Sequence, residues 1–170
     1  MPDIILTELA GLVGDAVTSA RLAPVFSRVQ AALAAAPNQA QAWEPLPSDV
    51  FGPALPPGIQ SCWVFVLRAF RVFGSERHPN SHQRTLAVSG SAEFEILKGE
   101  IWQRCPVDGG APDRLSGGSI SIPPNTWHRI RIGPKGFLCL SFHTVPAGEL
   151  IEETPVGDNL AVTHRRLYQG

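Results

Sequence analysis

The hydrophobic and polar positions of this chain follow two rhythms. Through residue 36 apolar side chains recur at helical spacing, and from Ser61 onward they follow the short period of β-strands. Ile5, Leu6, Leu9, Leu12, Val13 and Ala16 predict a first helix. Thr18 and Ser19 can cap a second, in which Leu22, Val25, Phe26, Val29 and Leu33 repeat the stripe. Pro24 fits a first turn only, and Pro37 with Asn38 ends the run. Such a stripe packs on its own domain, with a partner-binding helix as the alternative. Residues 43–60 hold Pro45, Pro47, Pro53, Pro56 and Pro57 and read as an irregular connector, too proline-rich for a helix or a central strand.

The strand pattern begins with Cys62–Phe73, one long strand whose first half is apolar at both parities, so that both faces are covered. Gln83–Ser89 follows, with a tight turn at Ser89-Gly90-Ser91. Ala92–Leu97 sets Phe94 and Ile96 on one face and Glu93 and Glu95 on the other, and Gly99–Arg104 continues or re-pairs it. After a Pro/Gly loop over 106–118 come Ser119–Ile122, Trp127–Ile132 and Phe137–Thr144. About six short strands at this spacing predict an all-β sandwich or barrel. The organisation is one domain: helices and connector over 1–60, a barrel over 61–145, and a tail over 146–170 that wraps the surface.

Composition narrows the function classes. With 170 residues, 44% apolar and 17% charged, the chain can bury an ordinary globular core. Fourteen basic residues nearly balance fifteen acidic ones, and a net charge of -1 gives no reason to expect nucleic acid or an anionic membrane as partner. No apolar run nears the roughly 18 residues of a membrane span. Pro2 and Asp3 lack the basic start of a secretory signal. Three cysteines, Cys62, Cys105 and Cys139, show no CxxC spacing, which points away from disulfides and toward a reducing cytoplasm.

Candidate chemistry lies in two segments. The first is Glu76-Arg77-His78-Pro79-Asn80-Ser81-His82-Gln83, with Gly90 downstream; the second runs from Gly117 through Pro123 and Asn125 to Trp127-His128. Each sets a histidine beside a strand. If His128 faces the interior, so do Ile130 and Ile132, leaving Arg129 and Arg131 outside, where their charge belongs. If Gln83 faces in, Thr85 and Ala87 do too, leaving room for a ligand. Parity leaves the direction of His143 open.

These segments resemble the two motifs of the cupin superfamily, a jelly-roll barrel also described as a double-stranded β-helix. The resemblance covers about residues 61–145. The family's second motif is Gly, five residues, Pro, one residue, Gly, two residues, His, three residues, Asn. Gly117, Pro123, Asn125 and His128 follow it in step, with Asn125 in the place of Gly and Ile132 in the place of the last Asn. Asn is the next best residue for a left-handed turn. In the first motif Gly90 is in place, Gln83 stands where the family has Glu, and His78 and Glu76 stand where it has two histidines; Phe70 replaces the upstream Gly.

The resemblance implies a mostly β fold with an N-terminal helical segment and a metal set of Glu76, His78 and His128, with His82 as the spare. Gln83 and Thr85 would bind substrate. Two imidazoles and a carboxylate suit Fe, Ni, Mn or Zn as a divalent ion, in the facial arrangement of non-haem iron oxygenases. The residues also have plainer readings: a turn-bonding histidine for His78 or His82, a surface ion pair for Glu76, and an inward polar residue bonding water for Gln83. The function implied is a metal-dependent enzyme acting on a small organic metabolite, possible reactions including dioxygenation. The alternatives are a non-catalytic ligand-binding barrel and a carbon–nitrogen lyase, since Glu76-Arg77-His78-Pro79, Gln83 and Trp127-His128 also resemble ureidoglycolate lyases. A homodimer is expected, with a second subunit covering the apolar strand Cys62–Phe73.

Overall fold

The computed structural model describes residues 3–110 and 118–168. Gly117, the first position of the second motif, lies outside them. Two helices come first: α1 (Ile4–Gly14), capped by Asp3, and α2 (Ala16–Ala35), capped by Asp15. Each cap carboxylate accepts two backbone N–H groups of the first turn. The cap of α2 is therefore Asp15, not Thr18 or Ser19. Pro24 sits well inside α2, not in its first turn. The helix persists there because Leu22, Val25, Val29 and Leu33 on its stripe are buried, and tertiary packing outweighs the local defect. Arg68 closes the far end, donating from Nη2 to the carbonyls of Leu33 (2.6 Å) and Ala36 (3.0 Å).

The connector contains more order than its prolines suggest. β1 (Gln41–Leu46) is an edge strand, the place where a sheet tolerates Pro45, and a 3-10 segment follows at Ser48–Ala54. The predicted long strand over 62–73 is two strands, β2 (Ser61–Leu67) and β3 (Val72–Glu76). They are parted at Phe70, which adopts φ 60 and is exposed.

Two 16-residue strands organise the barrel: β4 (Gln83–Lys98) and β7 (His128–His143). They pair antiparallel from Gln83 opposite His143 to Ile96 opposite His128, with register shifts at Ala87/Ser89 and Gly90/Ala92. On one side of these bulges the layer runs β1, β2, β7, β4 and then β6 (Ser119–Ile122). On the other it runs β3, β7, β4 and then β5 (Ile101–Gly109). Gly90 is thus a bend inside a strand, not a hairpin turn. It has φ 76, and a Cβ there would meet the Gly136 carbonyl oxygen at 2.0 Å. Here the two long strands cross too closely for any side chain.

The outward face of β2 and of the end of β7 carries Cys62, Val64, Leu138, Leu140 and Phe142, packed against Leu9, Leu22, Val25 and Val29 of the helices. The chain's own helices therefore cover this face of β2. The tail is not a loose wrap. β8 (Ile151–Val156) and β9 (Asn159–Leu167) form a hairpin that docks beside β3 through a two-way bridge between Arg77 and Glu153. Asn80 adds two bonds, donating to the Glu149 carbonyl (2.7 Å) and accepting from the Ile151 N–H (3.1 Å).

Candidate metal centre

Glu76 ends β3, and His128, opposite it in register, begins β7. His78 follows two residues after Glu76, in the bend before β4. Asn125 takes φ 60 in the turn before His128 and donates its backbone N–H to the His78 carbonyl at 2.9 Å. The left-handed turn that the second motif needs thereby ties the two motifs together. Among the described residues, ligand atoms of Glu76, His78 and His128 all lie within 4.8 Å of one another.

Both imidazoles are oriented from behind. His78 Nδ1 is 3.0 Å from the Ile151 carbonyl oxygen and His128 Nδ1 is 3.0 Å from the Thr126 carbonyl oxygen. A carbonyl only accepts, so each Nδ1 carries a proton and Nε2 is the ring nitrogen left for a metal. His128 Nε2 is buried without a hydrogen bond and lies 3.4 Å from Glu76 Oε1. The gap sets a ring nitrogen opposite a carboxylate oxygen, two donor atoms that one cation between them would share. The donor set fits a divalent metal on this ground, and backbone carbonyls holding the far nitrogen are the usual second layer of a histidine metal site.

Electrostatics agree. Burial pushes the Glu76 carboxyl up, but His128, His78 and Arg166 outweigh it and hold it below its ordinary range, so the carboxylate is charged at neutral pH. Burial holds His78 below its ordinary value, against the pull of Glu76, and holds His143 well below. Both rings stay neutral in the fold while the unfolded chain titrates near 6.5. As pH falls below that value the unfolded state binds protons the native state refuses, so native stability is present above it and lost below it. Urea unfolding of metal-free protein at pH 7.5 and 5.5 is expected to show a loss of about 1–2 kcal/mol at the lower pH. Equal stability at the two pH values would mean that the rings protonate within the fold.

The other sequence candidates divide. Gln83 and Thr85 face the cavity, Gln83 Nε2 donating to Thr85 Oγ1 at 3.2 Å, while Gln83 Oε1 is buried without a partner. His82 is not brought to the centre. Its Nε2 is 2.8 Å from Ser121 Oγ, which donates to Asp3 Oδ2 at 2.7 Å. The alternation that turns Gln83 inward turns His82 toward the N-terminal helix. His143, whose direction parity left open, is buried beside the centre. Its ring lies 5.2 Å from that of His78, and its nitrogens are 3.2 Å from Ser81 Oγ and from Ser141 Oγ.

The tail hairpin supplies residues that no local pattern marks. Glu152 is buried and pairs with Arg166 at 2.7 Å, and burial, then Glu76, raises its carboxyl. Tyr168 stacks edge-on with His78 (6.2 Å) and Trp63 (5.3 Å). Together these elements line an open cavity of about 900 Å³.

No protein-family model matches the chain, and no curated protein matches it in sequence. Solved structures do resemble it in shape. The coconut allergen cocosin is 18% identical over 71% of this chain and 30% of its own, at a TM-score of 0.54. Recombinant pro-11S globulin of pumpkin is 18% identical over 69% of this chain and 28% of its own, at 0.53. CapF, solved with the inhibitor 3-isopropenyl-tropolone, is 14% identical over 63% and 28%, at 0.50. This chain thus spans under a third of the length of these proteins. The shared shape shows the fold, a cupin barrel that is mostly β with a short N-terminal helical segment.

Proposed function

We propose that this chain is a metal-dependent enzyme of the cupin-barrel type, holding one divalent ion through Glu76, His78 and His128 and acting on a small organic metabolite with dioxygen as co-substrate. The observation that carries this reading is the convergence of two imidazole Nε2 atoms, each fixed by a carbonyl behind it, on one charged carboxylate. Fe, Ni, Mn and Zn all suit two nitrogens and an oxygen; a facial set that leaves positions open is the arrangement of oxygen-activating iron. When bound, the ion supplies Lewis acidity and open coordination positions.

The chain's own residues do the rest. The carbonyls of Ile151 and Thr126 keep both Nε2 atoms aimed at one point. Gln83 Oε1, buried and unpartnered, accepts a donor hydrogen from the substrate and orients it. The β8–β9 hairpin and its flanks line one side of the cavity with Leu150, Glu152 and Tyr168.

The test uses protein purified without an affinity tag, stripped with chelator and titrated anaerobically with Fe(II). Uptake near one ion per chain is expected, and nitric oxide added to the loaded protein should give the paramagnetic signal of an iron nitrosyl. A folded protein that takes up no metal would overturn the reading. Uptake without a nitrosyl would remove only the oxygen-activating part.

A further inference from the structure

Beyond the metal, the cavity wall carries a gradient that bears on the ligand. Along the end of β7 the inward positions run His143, Ser141, Cys139, and along β4 they run Gln83, Thr85, Ala87; these pair off in register. At the start of β7 His128 is followed inward by Ile130, opposite Phe94. Both long strands thus pass from polar to apolar within two or four residues of the centre. Alternate residues are about 6–7 Å apart along a strand, roughly the length of an aromatic ring. The far wall is apolar: Phe65, Leu67, Phe73, Phe94 and Ile130 belong to one hydrophobic cluster and line the same cavity.

Charge restricts the other end. A divalent ion beside the Glu76 carboxylate leaves a single positive charge. Among the described residues that line the cavity, no cation is free for a second anionic group. Arg166 faces Glu152, and Arg129 and Arg131 face Glu95. Gln83 Oε1, on a side chain 8% exposed, asks for a hydrogen-bond donor.

We propose that the ligand is a chelating monocarboxylate that bears a hydroxyl or similar donor on one side and an aromatic or branched apolar group on the other. Its carboxylate and donor group would occupy the polar end, within reach of Gln83, and its apolar group would lie against the Phe65–Phe94 wall. Small dicarboxylates fit poorly, because a second carboxylate would face apolar side chains with no free cation beside it. This inference rests on the metal reading above.

The experiment titrates metal-loaded protein calorimetrically with mandelate, glycolate and tartrate, with metal content measured on the same sample. Mandelate and glycolate share a chelating head and differ by a phenyl ring; tartrate carries a second carboxylate. Mandelate is expected to bind about 30-fold more tightly than glycolate, the value of burying one ring, and tartrate more weakly than mandelate. Its binding should vanish with the metal removed. Equal affinities for mandelate and glycolate, or a preference for tartrate, in a fully loaded sample would overturn this inference and leave the metal centre standing. A sample that holds no metal would bring down the centre, and this inference with it.

Discussion

Replacing His128 by alanine is expected to leave the barrel folded and to weaken metal binding by more than about 100-fold, since loss of an outer partner alone costs about 10–100-fold. The side chain is buried, yet its contribution to the fold is one hydrogen bond, from Nδ1 to the Thr126 carbonyl two residues back. Its Nε2 bonds nothing in the protein, so its removal costs the fold only the bond to the Thr126 carbonyl. The matched control is His82→Ala. His82 is in the first motif too, but its Nε2 sits on Ser121. That variant should keep metal uptake near one ion per chain. Calorimetric titration of both variants with Fe(II), with circular dichroism to check folding, reads the difference. Metal lost in His82→Ala and kept in His128→Ala would invert the assignment.

Phe142→Ala is expected to cost about 3–5 kcal/mol of stability, the range for truncating a fully buried aromatic side chain. Phe142 has no exposed surface and lies 5.5 Å from Phe51, in the cluster that joins the helices to the sheet. The next residue, His143, points the other way into the cavity. Because one strand serves core and site on alternate faces, the variant should lose stability in urea unfolding yet bind metal with unchanged stoichiometry where it is folded. A loss under about 1 kcal/mol would show that the helices do not share a continuous core with the barrel.

Local alternation made much of this legible in the sequence. On β7 it placed His128, Ile130 and Ile132 inward. Arg129 and Arg131 instead turn to Glu95, which sits on the opposite face of β4 from Phe94 and Ile96. The same rule applied to Gln83 would have set His82 aside, because neighbours on a strand face opposite ways. Gly90 was visible as a residue that must be glycine, but a positive φ serves a bulge as well as a turn, and only the close approach of Gly136 tells them apart.

Long-range pairing was not legible. Nothing local places His143 opposite Gln83, or Ile151 behind His78, since these contacts join positions 60 and 73 residues apart. The β8–β9 hairpin was missed as part of the site for the same reason: Glu152 and Tyr168 lie in a mixed tail whose register against Arg77 depends on the finished barrel. The split of the long apolar run at Phe70 was hidden by a residue that favours strand yet adopts φ 60 where the chain crosses between layers.

The central claim is that Glu76, His78 and His128 hold one ion together. X-ray absorption at the zinc edge of protein loaded with one Zn(II) per chain tests it most directly. A first shell of nitrogen and oxygen at about 2.0–2.2 Å with no sulfur is expected, with the outer-shell scattering of two imidazoles. A sulfur shell at about 2.3 Å, which would bring in a cysteine such as Cys139 on the cavity wall, or a spectrum without imidazole scattering, would contradict it.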